Sequence, residues 1–408
     1  MNLTEEGRPV SITRNLSSAQ RQFEFDPFDA ATIADPYPSY RILRDSFPVY
    51  HNPRRDLWAI ARAEDVNALM RDWQRCTSSL GMDLDGTGMM YPEGNFLNYD
   101  PPDHDVLRKV VREPFAARRI LSLEPMIRRT VTELIDGFID AGHADIAREL
   151  TKPLPFTTVS AILGVPESDT PATVALIEAM LHREPGQQEP PPAAFAATAQ
   201  LAQYVAALAA ARRAAPQDDA MTQIAHGEVD GRPLTDQEIL GLTITCYVAG
   251  SEPVSNFITT SLDVLARHPD ARAELFADFD ALAPTAIEEL LRFESPLQNM
   301  ARTTTQPIEL HDTEIPQGAR LALLLGSANR DDRRWEDADR LDLRRPAKRH
   351  IAFGEGVHYC LGAPLARLQG RIALQEIARR LPEYAITGPV VRLGKVNSRG
   401  MESLPIAF

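Results

Sequence analysis

Apolar residues recur at three- and four-residue spacings along much of the chain. Ile127, Val131, Leu134, Ile135 and Phe138 share one helical face and predict a helix over Ile127–Ile139. The same periodicity predicts helices over Pro155–Leu163, Ala194–Arg213, Thr235–Arg267, Thr285–Arg292 and Pro364–Leu381. Strand candidates are short and few: Trp58–Ala61, Pro307–Leu310, Arg320–Leu324 and a C-terminal piece over Leu404–Ala407. Many helices beside a minor, segregated sheet predict a mainly α protein in the α+β sense.

Thr235–Arg267 is unusually long. Thr235 stands three residues before Glu238, the spacing of a capping box, and the apolar pattern then continues for roughly thirty residues. Helices of that length cross a whole molecule or are rare. Inside it lies Gly250-Ser251-Glu252-Pro253. Glycine costs about 1 kcal/mol in a helix interior and proline about 3, so the interruption marks a site. Proline at 253 lacks an N–H and crowds the carbonyl of Ala249, so the helix is expected to open or kink there.

The chain has 408 residues, 44% of them hydrophobic, enough for a large core. Length alone suggests two or three domains. No linker divides it, and the Pro-rich stretch from Glu184-Pro185 to Pro192 reads as a loop, so a single domain over 1–408 is expected, its first 20 residues flexible. No basic segment leads an apolar one at Met1–Glu6, and no run approaches the ~18 apolar residues of a membrane span. Cys76, Cys246 and Cys360 lie too far apart for a disulfide framework or a clustered zinc site. A net charge of −14 disfavours nucleic acid and anionic membrane. The expectation is a soluble, cytoplasmic protein.

The most informative stretch is His350-Ile351-Ala352-Phe353-Gly354-Glu355-Gly356-Val357-His358-Tyr359-Cys360-Leu361-Gly362. Its glycines permit tight turns and the close approach of a flat ligand. Amides exposed by such a loop can donate to sulfur, and a helix starting just afterward favours a thiolate. The pattern F-G-x-G-x-H-x-C-x-G is too long and specific for a structural cysteine in a turn. It resembles the heme-binding loop of cytochromes P-450, and the resemblance extends along nearly the whole chain.

The resemblance implies heme b between the long helix and this loop, with Cys360 as axial ligand of the iron and Phe353 and Gly354 against the cofactor. In such enzymes a thiolate ligand favours O–O cleavage. Glu289 and Arg292, with Arg345, match the family's Glu-Arg-Arg cluster, which implies a role in folding and heme seating. His104, Arg108, Arg302 and His350 match groups that hold the heme propionates, as carboxylates in a partly dry site require. Ala249-Gly250-Ser251-Glu252-Pro253 matches A-G-x-[DE]-T, where acid and alcohol deliver protons for oxygen activation. Glu252 keeps the acid, and Pro253 replaces the alcohol. The activity implied is monooxygenation of a small organic substrate. The departure at Pro253 leaves open a peroxide-driven or radical-coupling reaction, and beyond these a non-catalytic heme sensor.

Several segments resemble the bacterial group that oxidises para-substituted benzoates: Phe293–Gln298, Arg302–Thr305, Gly326–Arg330 and Arg399–Pro405. Leu80 stands where that group carries an arginine, so a neutral or differently anchored aromatic is expected. Leu97, Thr245, Val248, Ala249, Leu297, Met300 and Met401 match the family's pocket walls. No G-x-G-x-x-G follows a predicted strand. Electrons are therefore expected from outside, and the resemblance implies a separate ferredoxin or flavodoxin with its reductase. Arg108, Lys109, Arg112, Lys348, Arg349 and Arg367 are candidates for a basic patch that steers it.

Overall fold

The computed structural model describes residues 23–91, 93–182, 190–347 and 349–408. The expected flexible start, most of the Pro-rich loop and Lys348 lie outside them. The helices that position the site are α1 (Asp103–Arg112), α2 (Glu124–Asp136), α3 (Pro153–Leu163), α4 (Thr170–Leu181), α5 (Pro192–Ala214), α6 (Asp236–Arg267), α7 (Phe279–Phe293) and α8 (Ala363–Arg380). Periodicity located α3, α5, α6 and α8 to within about two residues. It missed α1 and α4, and it began α7 too late because α7 continues through Pro284.

The 32-residue α6 is the axis of the fold. Both bonds of its capping box form: Glu238 N donates to Thr235 Oγ1, and Thr235 N donates to Glu238 Oε2. Residues from Ile239 to Leu265 are buried on nearly every side, because α3, α5, α7 and α8 all pack on it. Pro253 does not end the helix, which continues from 236 to 267. Gly250 also has a structural reason. A Cβ there would come within 2.7 Å of Val159 Cγ2 on α3. On the other side, a Cβ at Gly370 of α8 would meet Phe257 Cε1 of α6 at 2.2 Å. These close approaches press α3 and α8 onto the central helix. One hydrophobic cluster continues from Phe96 to Ile406.

The main sheet joins β1 (Val49–Asn52), β2 (Leu57–Ile60), β3 (Cys76–Thr77), β5 (Met300–Thr304) and β6 (Arg320–Leu323) in the order β1-β2-β6-β5-β3. A smaller sheet contains β4 (His143–Asp145), β7 (Ala385–Ile386) and β10 (Pro405–Ala407), and β8 (Val391–Arg392) pairs with β9 (Met401–Ser403). In the main sheet Arg302 of β5 pairs with Leu321 of β6.

Among the described residues, α5 is long and apolar enough to cross a membrane by length and composition. The search for an unbroken apolar run passed over it because Thr198, Gln200 and Gln203 interrupt its alanines. It packs against α4 and α6.

Candidate functional site

The segment before α8 folds back on itself. Gly354 and Gly356 take φ of 70° and 72°, and Cys360 N donates to Phe353 O at 2.9 Å. Burial pushes the Cys360 thiol up, while the amides of Gly362 and Ala363 and the charges of Arg108 and Arg367 pull it down; the net shift is upward. The amides at the start of the helix thus favour the thiolate, as expected, against the cost of burial. A coordinated metal would ionise the sulfur, since a ligating thiol loses its proton outright.

Arg108 of α1 braces this loop. Its Nη1 donates to Val357 O at 3.2 Å and its Nη2 to Tyr359 O at 2.6 Å. Beside it, His104 and His358 meet edge to face with ring centroids 4.5 Å apart. His104 is 1% exposed, and its Nδ1 lies 2.8 Å from Asp105 Oδ1. His358 Nε2 lies 3.1 Å from Ser78 Oγ. Burial, with the charges of Arg302, His104 and Arg108, pushes His358 down to about 2. Arg302 is 1% exposed and gives one bond, Nη1 to Ala301 O. Burial pulls its guanidinium down to about 10.

Three nitrogens in this group, His104 Nε2, His358 Nδ1 and Arg302 Nη2, are buried without a partner. Orphaned buried polar atoms are rare in folded proteins and need an explanation. A ligand carrying carboxylates beside Cys360 would satisfy them, so the residues present fit the heme that the sequence implies.

His350, assigned to the same task from sequence, is placed differently. Its Nε2 lies 3.1 Å from Glu288 Oε2, and its Nδ1 accepts from Ala352 N. Arg367 holds the same carboxylate with two bonds of 2.6 and 2.8 Å and lies 4.4 Å over the Phe353 ring. His350 therefore ties the loop to α7 and α8. His358, which stood in the cysteine motif but was passed over, is the second histidine with an unpartnered buried nitrogen beside Cys360. Burial works against the Glu288 charge, yet Arg367 and His350 hold its carboxyl at about 2. That lies below the ordinary glutamate value of about 4.3, so its stabilising contribution is present above that value and lost as pH falls toward 2. Glu288→Gln is expected to lower stability at pH 7 and to converge with wild type near pH 2, read by tryptophan fluorescence. Parallel acid curves would contradict this.

Behind the loop, Glu289 and Arg292 are both 0% exposed and joined by bonds of 2.7 and 2.8 Å. Arg345 Nε adds a third at 3.2 Å. Arg292 Nη1 also donates to Asn329 O and Ala338 O, which fastens the connection leading to the cysteine segment.

On α6, Tyr247 and Ser251 are buried, but Val248 and Gly250 are half-buried and Ala249 is exposed. On an otherwise buried helix, these less buried positions are the ones matched to the oxygen site. Leu97, Leu297 and Met300 are half-buried as well. Thr245 is ordinary core, bonded to Asn95 Oδ1, and Met401 is 6% exposed. Leu80 is 62% exposed and not part of a buried wall. The arginine beside it, Arg320, is occupied: it donates to the carbonyls of Leu80, Gly81 and Asp83. Ser251 Oγ donates to Tyr247 O and offers no replacement for the missing alcohol. Glu252 Oε2 accepts from Lys395 Nζ at 2.7 Å, an ion pair that sequence did not suggest.

Comparison with known proteins shows the family. The family model described as cytochrome P450 matches residues 194–381. Cytochrome P450 130 of Mycobacterium tuberculosis is 36% identical over 376 residues, covering 89% of this chain and 92% of that one. Cytochrome P450 monooxygenase PikC of Streptomyces venezuelae is 34% identical, covering 92% and 91%. The solved structure of cytochrome P450 PksS of the Bacillus subtilis 168 bacillaene polyketide synthase superposes with a TM-score of 0.86 at 30% identity, covering 94% and 99%.

Proposed function

Since the chain belongs to the cytochrome P450 family and is a heme b monooxygenase, we propose that Cys360 is its axial ligand and that it oxygenates a small, neutral, aromatic substrate. The observation that carries the site assignment is the cradle of unpartnered nitrogens on His104, His358 and Arg302 beside the Cys360 loop. These three residues would hold the propionates, with Phe353 and Gly354 against the cofactor and Arg108 and His350 holding the loop from behind. Heme supplies the reductive activation of dioxygen; the rest is done by the chain.

The half-buried positions at Leu97, Val248, Ala249, Leu297 and Met300 offer apolar contact to substrate. Glu252 handles protons, and Pro253 contributes no hydroxyl. Electrons come from a separate ferredoxin or flavodoxin system. Lys109 and Arg112 are the exposed cations of α1 nearest the cysteine loop and pair with no carboxylate among the described residues, whereas Arg108 and Arg367 are spent within the protein. The three unpaired cysteines suit a reducing cytoplasm.

Neutrality of the substrate follows from charge. Burying a carboxylate without a cation is costly, and Arg320 is committed to backbone carbonyls. Neutral phenols, esters and amides are therefore expected to produce the high-spin Soret shift at least as well as the matching aromatic acids. A series in which acids alone shift the spectrum would contradict it.

A further inference from the structure

Lys395 lies between β8 and β9, and its ammonium meets the one carboxylate that α6 presents at the oxygen site. While Glu252 Oε2 accepts from Lys395, Oε1 is buried without a partner. The lysine side chain is 29% exposed and the carboxylate 19%, so the cation keeps contact with water while the acid lies further in. Lys395 also lines a small crevice with Thr32, Pro36, Asn299 and Ser398. Asn299 Oδ1, in the same wall, is buried without a donor.

The choice of cation is informative. The chain has four lysines and thirty-nine arginines, and the carboxylates of Asp219, Glu288, Glu289 and Glu294 are each held by arginine. Arginine is the better clamp, since its fork is pre-organised, but it does not give up a proton. A lysine does.

Resting on the monooxygenase reading above, we propose that Lys395 is a proton relay that carries protons from the crevice to Glu252 and takes over the task left vacant by Pro253. An N–H proton passes from Lys395 Nζ to Glu252 Oε2, leaving an amine and a carboxylic acid. Glu252 then yields a proton toward the reaction, its carboxylate re-forms, and a hydronium in the crevice re-protonates the amine. The net transfer is one proton from solvent.

With four lysines, reductive ¹³C-methylation of the heme-loaded protein gives few resonances, and the one missing in Lys395→Arg is assigned. Glu252→Gln is expected to shift that resonance alone; no shift means no pair, and the inference falls. Turnover is then followed with a substrate that gives the high-spin shift, measuring product and peroxide per reductant consumed. Lys395→Met and Lys395→Arg are both expected to lose coupling by about 10²-fold or more, the scale of a lost general acid. Supplied peroxide carries its own protons, so product from it should fall far less. Adding Pro253→Thr to Lys395→Met should restore part of the coupling through the new hydroxyl. Wild-type coupling in Lys395→Arg would show that Lys395 merely holds Glu252, which overturns the relay. Wild type that forms no product from either dioxygen or peroxide would instead overturn the monooxygenase reading, and the relay with it.

Discussion

Glu289→Gln is expected to leave a protein that unfolds early and loads heme poorly. The substitution keeps the shape of the side chain and removes only its charge. Arg292, 0% exposed, then faces Arg345 with no carboxylate between them. Breaking a buried pair from one side costs about 3–5 kcal/mol, a large part of the ~5–15 kcal/mol that hold a protein folded. At about 2.1 cal/mol/K per residue, that lowers the midpoint of a chain this long by about 4–6 °C. Heme loading suffers as well, because Arg292 fastens the connection at Asn329 and Ala338. Replacing both partners, as in Glu289→Leu/Arg292→Met, is expected to recover much of the loss, since an apolar pair leaves less buried charge unpaired. A single variant with the wild-type midpoint and full heme content would contradict this account.

Arg302→Met is expected to move stability and heme binding in opposite directions. In the protein without heme, Arg302 is a buried cation with one hydrogen bond, to Ala301 O, and Nη2 unpartnered. Replacing such a charge with an apolar side chain of similar length removes the cost of burying it. The heme-free midpoint should therefore stay level or rise. A charge-assisted bond to a propionate is worth about 1.5–3 kcal/mol, so hemin affinity should fall about 10- to 100-fold. Calorimetry of the heme-free protein and hemin titration read the two effects separately. A variant less stable without heme, yet loading it normally, would place Arg302 in the core and outside the cradle.

What could be read from sequence was local. The capping box of α6 needs only Thr235 and Glu238, three residues apart, and both bonds form. The cysteine motif, likewise continuous, contained His358, yet the task went to His350 because both histidines flank the same glycines. Separating them requires knowing that Glu288 and Arg367 claim one and Ser78 and His104 approach the other. At Pro253 the helix continues, held by packing from four neighbouring helices that the local sequence does not show. Gly250 was taken as a purely functional defect, though Val159, ninety-one residues earlier, needs the room. Lys395 was invisible for the same reason. It lies 143 residues from Glu252, in a segment with no periodicity to read.

The central assignment, thiolate ligation of heme by Cys360, is tested most directly by the absorption spectrum of the reduced carbon monoxide complex. Wild type should show the strongly red-shifted Soret band of a thiolate ligand. Cys360→Ala should lose it entirely, while Cys76→Ser and Cys246→Ser keep it, since both thiols are buried and burial pushes each up to about 12. A red-shifted band that survives in Cys360→Ala, or is absent from heme-loaded wild type, would contradict the assignment.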